Sequence, residues 1–173
     1  MYEVSGVKAL LESKGYSASS LSERVPASGD VLIVALSSMP VLGWWKYQRM
    51  LDELVHDVAC RVVLLVPDEL RDAVSGMINA IVLSGDVALS VFIRELQVVI
   101  RSWTQREDGQ YKTRRLLSSK MLEALELIAT GSIADNKTEY CHRHLALYRL
   151  NFRSVTQFRQ FIAGTEWDKE RWR

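Results

Sequence analysis

Two clusters in the chain hold residue types that do chemistry. The first is Cys141, His142 and His144, which are metal-ligand types. Neighbours two apart on a helix do not share a face, so the two histidines do not chelate one ion. The second is His56, Asp57 and Cys60, the types of a nucleophile and its base. Nothing upstream supplies a strand-to-helix nucleophile elbow or oxyanion donors. Gly-x-Gly phosphate loops are absent. No catalytic residue, metal or cofactor is therefore assigned, and the expectation is a protein that binds rather than catalyses.

Charge points to what it binds. The 173 residues carry 22 Lys and Arg against 21 Asp and Glu, for a formal net charge of +1. Residues 1–100 are net −4 and residues 101–173 are net +5. An acidic front half and a basic back half suggest two roles, and a basic helical portion is a modest signal for nucleic acid. Apolar residues at 48% allow a packed core. Cys60 and Cys141 form no CxxC pair, so neither a disulfide framework nor a zinc knuckle is expected. No basic-then-apolar leader and no long apolar run occurs, so the expectation is a reduced, cytoplasmic protein without a membrane anchor.

The elements that position these residues follow from periodicity. Gly6–Lys14 has Val7, Leu10 and Leu11 on one helical face, with Gly15 as its C-cap. Asp30–Pro40 contains the apolar run Val31–Leu36, expected as a strand buried on both faces of a parallel sheet. Trp44–Val55 returns to helical spacing with Trp45, Met50, Leu51 and Leu54 inward. One of Trp44 and Trp45 is expected in the core, its neighbour exposed or at an interface. Arg61–Pro67 reads as a second buried strand, Asp68–Met77 as a helix and Ala80–Leu83 as a third strand. Asp86–Trp103 is a long amphipathic helix with Leu89, Ile93, Leu96, Val99 and Ile100 inward. This alternation predicts a parallel α/β sheet. Thr104–Arg115 is polar and contains Gly109, as a linker would. Three helices follow: 120–130 capped by Ser118 or Ser119 and ended by Gly131, 137–150, and 155–163 capped by Ser154.

An α/β domain over 1–103, a linker over 104–115 and a basic helical domain over 116–173 resemble a bacterial response regulator of the LuxR/NarL type, in its RcsA/RcsB-like branch. In the front half, DVLIVALSSMP resembles the strand and loop that carry the phosphoacceptor of receiver domains, with Ser38-Met39-Pro40 in place. The acceptor position is Ala35. The hydroxyl switch residue falls at Val66 and the phosphate-pairing lysine at Ser84. The first strand, which would end in the metal-holding acidic pair, is missing or reduced to Met1–Val4. Accepting a phosphoryl group needs a carboxylate nucleophile, a divalent ion and a balancing cation. The resemblance therefore implies a receiver-like (flavodoxin-like) pseudoreceiver that takes no phosphate at the usual position.

In the back half, Lys137–Ser154, KTEYCHRHLALYRLNFRS, resembles a LuxR-type recognition helix and its exit. Lys137, Thr138, His142, Arg143, Leu150, Arg153 and Ser154 are in register. Asn151 replaces the usual glycine, as the next-best residue for a left-handed helix end. LLSSKMLEALELIATG resembles the preceding helix, with Met121 and Ala124 departing. The scaffold helix and turn between Gly131 and Lys137 are cut to Ser132–Asn136, so the implied helix-turn-helix is shortened. Glu139, at a position usually packed on that scaffold helix, is expected to face solvent.

The resemblance implies that Tyr140, Cys141 and His144 face bases while Lys137, Arg143 and Arg153 lie nearer phosphates. Thr138 stands among these DNA-facing residues, or acts, like Ser154, only as a cap. Tyr and Cys read base edges poorly beside Arg or Asn. Two outcomes stay open: direct DNA contact, or a remnant module that binds only protein. The partners implied are a second copy of the chain, or an intact regulator in a heterodimer, with dimerisation on the helix of Asp86–Trp103. The tail Glu166–Arg173 sets Trp167 and Trp172 among charges.

Overall fold

The computed structural model describes residues 2–101 and 117–166, as seven α-helices and a parallel sheet of three strands. The linker of 104–115, and Trp103, Trp167 and Trp172, lie outside the described residues. In chain order the elements are α1 (Tyr2–Ser13), β1 (Val31–Ala35), α2 (Lys46–Asp57), β2 (Arg61–Val66), a 3-10 turn (Asp68–Leu70), α3 (Arg71–Met77), β3 (Ile81–Ser84), α4 (Leu89–Arg101), α5 (Ser119–Ala129), α6 (Lys137–Arg149) and α7 (Val155–Ile162). No helix among the described residues is long and apolar enough to cross a membrane.

The chain forms two compact units that do not follow chain order. The first comprises residues up to Met39, Leu54–Asp68, and Ala80 through α4. The second comprises Pro40–Glu53, Glu69–Asn79 and the described residues from Leu117 onward.

In the first unit the strands run in the order β1-β2-β3, all parallel. Val31 pairs with Arg61 and Val63 with Ile81, which sets the register. β2 is central, and five of its six residues are buried, as its continuous apolar run predicts. β1 is an edge strand, and only Leu32 of its five residues is buried, the others being half-buried. The expectation of burial on both faces is corrected accordingly. The core is Val63, Leu65, Leu83, Phe92, Leu96 and Val99. Val7, Leu10 and Leu11 of α1 pack against it, as their spacing predicts. Leu89, expected inward, is 62% exposed at the start of α4. Residues 2–4 are helical, so no reduced strand stands there.

The second unit has an aromatic centre. Phe161 of α7 is fully buried, stacks on Trp44 at 5.9 Å with 20° between planes, and lies 5.6 Å from Trp45. Phe152 approaches Phe161 to 5.1 Å and Phe158 to 5.2 Å. Both tryptophans are buried within the chain, which corrects the expectation that one is exposed or at an interface. Met50, expected inward, is exposed. Backbone bonds fasten the loop before α2 to α7: Gly43 N–H donates to the Gln160 carbonyl at 2.7 Å, and Trp45 N–H to that of Phe161 at 2.9 Å. Gly43 has φ +72, and a Cβ there would lie 2.8 Å from the Ala163 carbonyl oxygen, so only glycine fits. Side-chain amides fasten the 3-10 turn and α3. Asn151 Nδ2 donates to the Asp72 carbonyl at 2.9 Å, and Gln157 Nε2 to that of Glu69 at 2.5 Å.

Candidate functional site

α6 is the element to which the sequence assigns binding. It opens at Asn136, whose side chain accepts the Glu139 N–H at 2.9 Å. Asn136, not Thr138, is therefore the cap, because an N-cap carboxamide one residue before the helix satisfies an otherwise orphan donor. α6 closes at Leu150, and Asn151 follows with φ +60, the left-handed conformation expected there. Ser154 then accepts from Gln157 N–H at 3.1 Å and starts α7. On the other side, Ser118 caps α5 and Gly131 ends it with φ +82.

Helical periodicity divides α6 into two arcs. Arg143, Ala146, Leu147 and the following Leu150 are buried. Lys137, Thr138, Tyr140, Cys141, His144, Leu145 and Tyr148 are exposed, and so is Arg153 beyond the helix. Six of the seven residues assigned to DNA thus lie at the surface. Arg143 does not. It is 6% exposed, forms an ion pair with Glu139, and donates from Nη1 to the Ser132 carbonyl at 2.7 Å.

Glu139 is correspondingly turned away from solvent. Its carboxylate also accepts the Asp135 N–H at 3.1 Å, and this bond together with Arg143 lowers its pKa below the ordinary 4.5. The two corrections share a cause. The short loop Ser132–Asn136 carries backbone polar groups beside α6, and an Arg–Glu pair four residues apart satisfies both a carbonyl and an N–H. This pair ties α6 to the loop where the family resemblance implies a scaffold helix.

The first unit presents its own polar cluster at the carboxyl ends of the strands, where ligands bind in open α/β sheets. Ala35 ends β1 and offers no side-chain oxygen. Just beyond it, the Glu3 carboxylate of α1 accepts four bonds. Ser37 donates from N–H at 3.1 Å and from its hydroxyl at 2.5 Å to Oε1, and Ser38 donates from N–H at 3.2 Å and from its hydroxyl at 2.9 Å to Oε2. Gly85 after β3 lies so near that a Cβ there would sit 2.1 Å from the Ser37 Cβ. The pairing of Glu3 with Ser37 carries no local sequence signal, since 34 residues separate them.

Burial raises the Glu3 pKa, but the hydrogen bonds from Ser37 and Ser38 outweigh it, and the net shift is downward from 4.5. A lowered folded pKa contributes stability that is present above the unfolded value and lost as pH falls through the folded one. The protection factors of the α1 amides, taken against their intrinsic exchange rates, are therefore expected to fall as pH drops below about 4.5. The variant Glu3→Gln should show that reduced protection already at pH 7, with little further change in protection on acidification. Equal protection of α1 in both proteins would show that the carboxylate does not hold the helix.

Comparison with protein-family models, curated proteins and solved structures finds no match to this chain.

Proposed function

We propose that the chain is a phosphorylation-independent transcriptional regulator of the LuxR/NarL type. It acts as a homodimer or as the auxiliary partner of an intact regulator, and it contacts DNA through α6. The observation that carries this reading is the exposed arc of α6, where Lys137, Thr138, Tyr140, Cys141 and His144 stand at the surface of a helix seated between capped neighbours. The parallel order β1-β2-β3 supports a receiver-like first part, and Ala35 at the end of β1 supports its independence from phosphate. Cytoplasmic location belongs to the same reading.

The test is duplex binding over a salt series. Lys137 and Arg153 contacting phosphates predict a slope of log K on log salt of about −2 per protomer. Lys137→Ala should make that slope shallower by about one unit without altering the fold.

The inward Arg143 gives specific weight to a second reading, a non-DNA-binding antagonist that pairs with an intact regulator. That reading predicts no duplex binding at low salt, and weakened duplex binding by the intact partner when this chain is added.

A further inference from the structure

Residues from both sides of 104–115 make up the second unit. Pro40–Glu53 and Glu69–Asn79 precede that segment, and α5, α6 and α7 follow it. Specific contacts join the two sets. A helix leaves its last four carbonyls without intrahelical partners. Gly43 and Trp45, in the loop before α2, donate backbone N–H bonds to two consecutive carbonyls in the last turn of α7, those of Gln160 and Phe161. Between these donors stands Trp44, fully buried, with its ring stacked on Phe161. The exit of α6 is held by the front half as well. Asn151, with φ +60, donates to the Asp72 carbonyl of α3, and Phe152 next to it meets Phe161.

Separately folded pieces meet through surfaces that each has already completed. This joint is of another kind, because each side finishes the interior of the other. Without residues 40–53, Phe161 would lose both indoles and α7 would lose two donors. α5, α6 and α7 have 11, 13 and 8 residues, lengths at which a helix takes its stability from packing rather than from propensity.

We infer that α5, α6 and α7 are not a self-standing module. Residues 40–53 and 69–79 complete their core, and the segment 104–115 is a connection within one folding unit rather than a hinge between two. α6 is then presented only while the front half holds α7 and the exit of α6 in place. This interlock is the same whether α6 meets nucleic acid or protein.

Gly43→Ala in the full chain tests it, with amide hydrogen exchange as the readout. The added Cβ meets only the carbonyl of Ala163 within 4 Å and no residue of α5, and φ +72 strains any side chain there. The expected result is a fall in the protection factors of α3, α5 and α7 by a common factor of about ten, the scale of a left-handed alanine. Protection of α5 equal to that of the parent, with the loss confined to the neighbourhoods of 43 and 163, overturns the inference, since the helices would then stay folded without the loop. Should Gly43→Ala not accumulate as folded protein, Trp45→Phe makes a smaller cut at the same joint. Lowered protection of α5 in that variant supports the interlock, and unchanged protection of α5 overturns it.

Discussion

Replacing Phe161 with alanine is expected to cost the second unit about 3 to 5 kcal/mol, the usual range for emptying a buried aromatic site. The ring is completely buried and meets Trp44, Trp45 and Phe152 at centroid distances of 5.1 to 5.9 Å. These three neighbours are rigid rings, which collapse into a void less readily than methionines do. A loss of this size is a large fraction of the 5 to 15 kcal/mol that holds an ordinary domain folded. Urea denaturation followed by tryptophan emission measures it directly, because two of the affected rings are indoles. The control of intermediate size is Phe161→Leu, which should fall between the parent and Phe161→Ala. A midpoint in Phe161→Ala unchanged from the parent would show that the stack on Trp44 is not formed in solution.

Arg143→Met is the second large effect, expected at about 2 to 3 kcal/mol. The substitution keeps apolar bulk but leaves the Ser132 carbonyl without its donor and Glu139 without its counter-charge. Breaking one side of an enclosed pair costs more than removing both. The double variant Glu139→Gln with Arg143→Met should therefore be more stable than Arg143→Met alone, a non-additivity that a double-mutant cycle reads. Acid gives an independent sign. Glu139 titrates below its ordinary 4.5 in the folded chain, so the parent loses this stabilisation as pH falls through that lowered value. Arg143→Met should lose less on acidification, since part of the shift is already gone. If Arg143 instead contacted phosphate, the variant would keep its stability and flatten the salt dependence of DNA binding.

The sequence made much of the local structure legible. β2 and β3 stand out as short apolar runs, and Ser118, Ser154, Gly131 and Asn151 mark helix ends because each solves a backbone problem that only a few residue types solve. β1 was harder. An edge strand and a central strand share the same apolar composition, and only pairing tells them apart. The composition of the second unit was not legible either, because much of what fastens it is backbone. The bonds from Gly43 and Trp45 to the carbonyls of α7 leave no side-chain pattern. In α6 the cationic type of Arg143 was readable but its direction was not. A base on a helix faces solvent by default, until a nearby carbonyl and acid draw it inward. Gln48 is a similar case. It is 1% exposed, with Nε2 near Asp52, in a helix whose spacing marks only apolar residues as core.

The interleaved make-up of the second unit bears on how such a protein can change over generations. Its aromatic centre draws Trp44 and Trp45 from one stretch of the gene and Phe152, Phe158 and Phe161 from another, with β2, β3 and α4 encoded between them. A crossover between the codons for 101 and 117 would hand the incoming helices two orphaned indoles and a glycine loop shaped for a different α7. The back half is therefore not a cassette that recombination can exchange whole. Its substitutions must drift in step with those of residues 40–53 and 69–79, and a graft that ignores this debt should reach the cell as aggregate rather than as a folded hybrid.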